Sequence, residues 1–347
     1  MTRVLSFTEI DAALACWARW DFAYGGRLAG STLKPKGTAP ILSEGRAWGA
    51  AVAAWHQNAG KLTALWEAHQ ALTESLNADM IQMEEAGFRP DVDEMLDMEI
   101  KLGAMLDHYA AHAVPIVGLE RLEEEIVVPI PSRSGTGRGS TRYRFLAKID
   151  GFTDASGQRW VVEFKLRTRL TDPELLERQR QPLWYAWAKT RQGGPPIMGV
   201  IVDERLNEVP KLPKIVNARR KGEGIDGKVP SHKKDQVTTS EEYRELCHEF
   251  GELPRPDVVE ALDRRIWQQR FPLVYRPSEM DTAGHELVSA AKLIRDLDSG
   301  ELAPIRNAKR ANCGYCKFSA ICANPTDDLY VETLFNRSTP KRLKGAA

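Results

Sequence analysis

Between residues 142 and 167 two runs alternate apolar and polar residues, "RYRFLAKID" and "RWVVEFKLR", around a turn that contains Asp154, Ser156 and Gly157. Alternation with period two marks paired β-strands. Residues two apart share a face, so Tyr143, Phe145, Ala147 and Ile149 lie on one side of the first strand, and Val162, Phe164 and Leu166 on one side of the second. Asp150 is left at the end of the first strand, opposite its apolar side, while Glu163 and Lys165 share the remaining face of the second. Pairing across the turn brings Asp150 beside Glu163. Adjacent carboxylates repel, and one is neutralised by a raised pKa unless a cation stands between them. Carboxylate oxygens with open water positions suit Mg²⁺ or Mn²⁺, which lowers the pKa of bound water and stabilises charge on a phosphoryl oxygen. Lys165 is placed to orient or deprotonate an attacking water, or to stabilise the transition state. A solvated Lys–Glu pair on an exposed hairpin is the commoner fate of such residues, and a D-x(12)-E-x-K spacing taken alone occurs often by chance.

The flanking sequence sets this hairpin in an α/β frame. With 347 residues, 42% hydrophobic and 28% charged, the chain has the composition of a globular protein with one large core or two modest ones. No apolar run reaches membrane-spanning length, and "MTRVLSFTEIDAALACWARW" lacks the features of a secretory signal, so a cytoplasmic location is expected. Residues 6–22 read as a helix capped by Ser6 and Glu9, and 43–113 as two or three helices. "EEIVVPI", the two alternating runs and "IMGVIVDE" read as strands. A helix over about 173–190, capped by Thr171 or Asp172 with Pro173 in its first turn, crosses between the last two. Helical pattern resumes at "TSEEYRELCHEF" and continues through 256–298. This order suggests a small mixed sheet flanked by helices, with helical elaborations at both ends. The regions are a helical part over 1–118, a core over 119–205, a basic, helical and cysteine-bearing part over 206–338, and a disordered tail over 339–347.

Net charge is zero, with 48 basic and 48 acidic residues, so any nucleic-acid contact must come from local basic stretches. Arg133, Arg138, Arg142 and Arg144 precede Asp150 without an intervening acid, and 211–234 holds eight Lys or Arg against Glu223 and Asp226. Trp160, Trp184 and Trp187 are candidates for stacking on unpaired bases, although core positions are the usual fate of such tryptophans. The five cysteines are an odd number, which disfavours a disulfide framework and raises metal ligation. Cys313, Cys316 and Cys322 form C-x2-C-x5-C, and Cys16 or Cys247 is available as a fourth ligand. Structural zinc more often uses two C-x2-C pairs, and one is present here, so a [4Fe-4S] cluster is favoured over Zn²⁺.

Downstream of the hairpin, "RQRQPLWYAWA" sets Gln181 and Tyr185 four apart on one helical face. The order strand-Asp, strand-Glu-x-Lys, helix-Gln-x-x-x-Tyr resembles the RecB-type branch of the PD-(D/E)XK nuclease superfamily. The resemblance implies a restriction-endonuclease-like core, with Asp150 and Glu163 as metal ligands and the Phe164 carbonyl as a third. It further implies Lys165 as the catalytic lysine and Gln181 and Tyr185 as the substrate-side pair. The cysteine arrangement resembles the iron–sulfur subset of these nucleases, which includes AddB subunits and certain CRISPR-associated nucleases and has one ligand far N-terminal and three near the C-terminus. Cys16 resembles that N-terminal ligand, and Cys247 is left to the core. Two departures stand out. Many relatives carry a metal-binding His four residues after a Gly on an early helix, but here Ala53 stands four after Gly49 and His56 lies about a turn later. Pro182 within the Gln-to-Tyr stretch is expected to kink the helix. The implied activity is a Mg²⁺- or Mn²⁺-dependent DNA exonuclease of phage or bacterial recombination or repair, acting on single strands or duplex ends beside a recombinase, helicase or single-strand annealing protein. The alternatives are a CRISPR-adaptation nuclease and a non-catalytic DNA-end-binding scaffold. The chain has no Walker motif, so ATP-driven unwinding does not come from it.

Overall fold

The alternating runs form strands where their spacing predicts them. The computed structural model describes residues 2–35, 40–85, 89–120, 123–132, 139–155, 157–218, 224–309, 313–314 and 316–339. Its elements begin with β1 (Arg3–Ser6), α1 (Phe7–Ala15), α2 (Trp17–Trp20), β2 (Thr32–Pro35), α3 (Pro40–Gln57), α4 (Ala64–Glu85) and α5 (Val92–His112). The central stretch holds β3 (Leu119–Glu120), β4 (Glu124–Pro131), β5 (Gly139–Ile149), β6 (Gly151–Ala155), β7 (Gln158–Arg167), α6 (Pro173–Glu177), α7 (Arg180–Gln192) and β8 (Ile197–Leu206). After it come β9 (Ile215–Asn217), β10 (Lys228–Pro230), α8 (Ser240–Glu249), α9 (Pro256–Asp263), β11 (Gln268–Val274), α10 (Pro277–Ser299) and, beyond a short helix at Asp328–Leu334, β12 (Phe335–Ser338).

The central sheet is mixed, in the order β11-β8-β7-β6-β3, with β7 and β8 parallel and the other pairs antiparallel. A second sheet, β1-β5-β4, shares its long strand path with the first, because β5 runs into β6 with only Asp150 between them. Ile149 faces the first core from β5, and Phe152 faces the same core from β6, so the alternation slips by one residue at this corner. A residue left out of both ladders bends the strand and re-aims its own side chain. Gly151 follows at the closest point, where a Cβ would lie 2.7 Å from Leu119 Cδ1.

Between the two sheets lies the first core, built on Phe145, Ile149, Val161 and Val202 and closed by α7 and α10. The opposite face of the central sheet carries Val162 and Phe164 into a second core with α3, α4 and α5. A third, smaller core joins the two chain ends, where β2 pairs with β12 and Phe22 packs on Phe318. No helix among the described residues is long and apolar enough to cross a membrane.

Several expectations are corrected. The helix over 6–22 keeps its cap, with Ser6 Oγ accepting from the Glu9 amide at 3.2 Å, but breaks at Cys16, whose backbone is extended (φ −162°). The helix over 173–190 is two helices, α6 capped by Asp172 and α7 starting afresh at Arg180. Pro182 therefore falls in the first turn of α7, where its missing N–H has no helical acceptor to lose, and it does not kink the helix. The stretch over 256–298 is not continuously helical, because β11 interrupts it as the edge strand beside β8. Pro272 sits within β11, a position an edge strand tolerates. Trp184 and Trp187 are buried in the first core and offer no face to a base, while Trp160 is half-buried. Part of the basic stretch 211–234 forms the β9–β10 ribbon. Arg133, Arg138, residues 219–223 and the tail from 340 lie outside the described residues.

Candidate active site

The last paired residues of the β6–β7 hairpin are Gly151 and Val162, so Asp150 and Glu163 follow directly, one on each strand. There the ladder is completed by a side chain, as Asp150 Oδ2 accepts the Phe164 amide N–H at 2.8 Å. This bond fixes Asp150 at the corner and aims it toward Glu163 and Lys165. Glu163 is 1% exposed and forms an ion pair with the Lys165 ammonium, which remains partly open to solvent. Glu163 Oε1 is buried and has no hydrogen-bond partner among the described residues.

The electrostatics follow from this burial. Desolvation pushes Glu163 up to about 7, with Lys165 pulling against it and Asp150 adding to it. Asp150 is also raised, by burial first, against the pull of Lys165 and the Phe164 amide. Burial pulls Lys165 down, but the two carboxylates outweigh it and hold its pKa above the usual lysine range. The group therefore contains two carboxylates whose charge is poorly compensated by one ammonium. A buried oxygen without a partner beside a second carboxylate is a donor set that suits a hard divalent cation.

From α7, Tyr185 reaches the same group. Burial first, and then the Glu163 carboxylate, push its phenol up to about 12. Gln181 Nε2 donates to Tyr185 Oη at 3.1 Å, so the pair expected from sequence does interact across one helical turn. The edge of Phe7 against the Tyr185 ring, at 6.2 Å between centroids, holds the ring from α1.

His56 lies on the other face of the central sheet, stacked on the Phe164 ring at 5.5 Å. Its Nε2 lies 2.9 Å from Tyr109 Oη and its Nδ1 accepts the Ile116 amide. Burial, then the Arg270 charge, lowers its pKa to about 3, so the ring is neutral. Tyr109 Oη donates to Asp203 Oδ2 at 2.9 Å, and Asp203 pairs with Arg270 at 2.6 Å. His56 is thus part of a buried polar network that ties α3, α5, β8 and β11 together behind the site, and does not join Asp150 and Glu163.

Sequence reasoning overlooked Glu204 and Lys148. Glu204 stands beside Lys165 in the parallel β7–β8 register and is fully buried. It accepts from Arg167, from the backbone and hydroxyl of Thr171, and from Gln269. Burial raises its pKa, but these donors outweigh it and hold it below the usual range. Its oxygens are occupied, so Glu204 anchors the turn that leads from β7 to α6 and α7. The available signal was the run "IVDERL", an apolar strand ending in three charges beside a parallel neighbour. Lys148, two residues before Asp150, acts electrostatically on that carboxylate.

The cysteines approach from both chain ends. Cys16 Sγ accepts the Asn307 amide at 3.3 Å, and Cys313 Sγ lies 4.0 Å from the Asn307 carbonyl. Cys322 is within electrostatic reach of Cys16, Cys316 and Cys313. Even so, no three His, Cys, Asp or Glu side chains among the described residues stand close enough to hold a metal ion together. Cys247 is fully buried in a small separate core.

No curated protein matches the chain significantly. The pattern of the PD-(D/E)XK nuclease superfamily matches residues 4–323, nearly the whole chain. With its mixed sheet, its helical flanks and the carboxylates and lysine gathered at one strand corner, the chain belongs to the PD-(D/E)XK nuclease superfamily.

Proposed function

We propose that the protein is a Mg²⁺- or Mn²⁺-dependent deoxyribonuclease that works as an exonuclease on DNA ends or single strands, in phage or bacterial recombination or repair. The supporting observation is the buried Glu163 oxygen without a partner, beside Asp150 and Lys165 at the end of the hairpin ladder. Asp150, Glu163 and the Phe164 carbonyl would hold the ion, which when bound supplies a water of lowered pKa and neutralises charge on the scissile phosphate. Held between two carboxylates, Lys165 stays charged at neutral pH, which favours stabilising the developing phosphoryl charge over abstracting a proton. Tyr185, its phenol protonated across the physiological range and braced by Gln181, is placed to donate a hydrogen bond to substrate. A retired binding scaffold would have no chemical reason to keep these groups together.

The test uses labelled linear DNA, single-stranded and duplex, alongside covalently closed circles, each with Mn²⁺ or Mg²⁺. The exonuclease reading expects linear substrates to shorten progressively from an end while circles persist. Cleavage of circles at a comparable rate would make the enzyme an endonuclease, and intact DNA throughout would remove the nuclease reading.

We also infer a [4Fe-4S] cluster on Cys16, Cys313, Cys316 and Cys322. Support comes from the approach of Cys16 and Cys313 to Asn307, from the electrostatic reach of Cys322 to the other three, and from the amide–sulfur hydrogen bond at Cys16, a contact of the kind that tunes such clusters. Loading requires the thiols to draw closer than they stand here. Protein purified without oxygen is expected to be brown, with broad visible absorption lost on Cys16→Ala or Cys313→Ala substitution. Colourless protein containing zinc would contradict the cluster.

A further inference from the structure

A cavity of about 740 Å³ opens on the outer face of the β1-β5-β4 sheet, where β1, β2 and the segment bearing Cys316 meet. Its walls include Ser6, Tyr24, Lys34, Leu146 and Lys317. The acid among its lining residues is Glu9, which is buried, ion-paired with Arg3 and approached by Trp20 Nε1 at 3.4 Å. Lys34 and Lys317 are exposed and neither forms an ion pair with a described residue, while the Lys317 ammonium also lies 5.2 Å from the centroid of the Phe318 ring and burial lowers its pKa. Arg19 lies within electrostatic reach of both Lys317 and Tyr24. Three cations with little local compensation around a half-buried aromatic ring make a surface that attracts a polyanion with stackable bases.

The cavity is connected to the catalytic corner by one strand. Arg144, Leu146 and Lys148 of β5 alternate with its core-facing residues, and Lys148 acts on Asp150. From Leu146 on the cavity wall to Asp150 is four residues of extended chain, about 13 Å. A single strand seated in the cavity would have that distance to span to reach Asp150. A cavity of this volume has the size of a small-ligand site, a scale suited to a few unpaired nucleotides.

We propose that this cavity is a binding site for the single-stranded segment of a DNA substrate, with Lys34 and Lys317 on its phosphates and Tyr24 against a base. The proposal rests on the nuclease reading, and its test is chosen to fail independently of it. Binding of labelled oligothymidylate is followed by fluorescence anisotropy in EDTA, so that nothing is cleaved, over a range of salt concentrations. Replacing Lys34→Ala and Lys317→Ala together is expected to weaken binding about tenfold and to reduce the slope of log K against log salt by about 1.4, two phosphates' worth. Blunt duplex binding is expected to stay unchanged, as is hydrolysis of bis(p-nitrophenyl) phosphate, which is too short to reach the cavity. The pair Lys34→Arg and Lys317→Arg keeps the charge and is expected to keep the affinity. Unchanged affinity and slope in the alanine pair would overturn the proposal, as would an equal loss in the arginine pair or an equal loss with duplex. Absence of any hydrolysis would count against the nuclease reading alone, since the binding measurement does not depend on it.

Discussion

Glu163 concentrates the energetic cost of the site in one side chain. It is 1% exposed and its pKa stands at about 7 against an ordinary 4.5, so the folded protein holds this proton more tightly than the unfolded chain does. Its contribution to stability is therefore full below about pH 4.5, declines as pH rises toward 7, and is lost above it. Glu163→Gln removes that penalty. In chelator at pH 8 the variant is expected to melt above the wild type, with the difference shrinking toward pH 5, while DNA cleavage is lost. A difference that does not vary with pH, measured by thermal unfolding, would show that Glu163 is not held in a raised state. Stability gained by disabling a site is the pattern expected where function requires a strained arrangement of charge.

At the level of elements, two devices set the site. The first is the strand corner, where Asp150 leaves both ladders and accepts the Phe164 amide. The second is the network of His56, Tyr109, Asp203 and Arg270 on the reverse of the same sheet, packed against the Phe164 ring. Tyr109→Phe withdraws the hydroxyl from Asp203 and His56 and is expected to cost about 1–3 kcal/mol in urea denaturation. An unchanged midpoint would show that this network carries no stability. The corner was legible in the sequence because a period-two pattern fixes which residues share a face, and Asp150, Glu163 and Lys165 fall within one hairpin. The network was not, because its four members come from elements up to 214 residues apart and only folding brings them together. β11 escaped for a different reason: "QQRFPLV" is short and carries Pro272, so its strand character comes from pairing with β8 rather than from its own pattern. Gln181 and Tyr185 were readable from their helical spacing, whereas the fresh start of α7 that accommodates Pro182 was not.

Over the whole molecule, the chain ends are drawn to the same side as the β1-β5-β4 sheet. β1 pairs with β5, β2 with β12, and Phe22 packs on Phe318, so the N-terminal segment and the cysteine-bearing segment form one unit at the β1-β5-β4 sheet. This explains why Cys16 and Cys313, some 300 residues apart in sequence, both lie against Asn307. It also sets Lys34 and Lys317, cations from opposite ends of the chain, on the walls of one cavity, where Glu9 is paired with Arg3. Lys165→Ala separates hydrolysis by the Asp150, Glu163 and Lys165 group from chemistry elsewhere in the molecule. With Mn²⁺ and labelled single-stranded DNA, cleavage is expected to fall at least a hundredfold, with binding of the same strand retained within about twofold. Cleavage by Lys165→Ala at the wild-type rate would place the chemistry elsewhere.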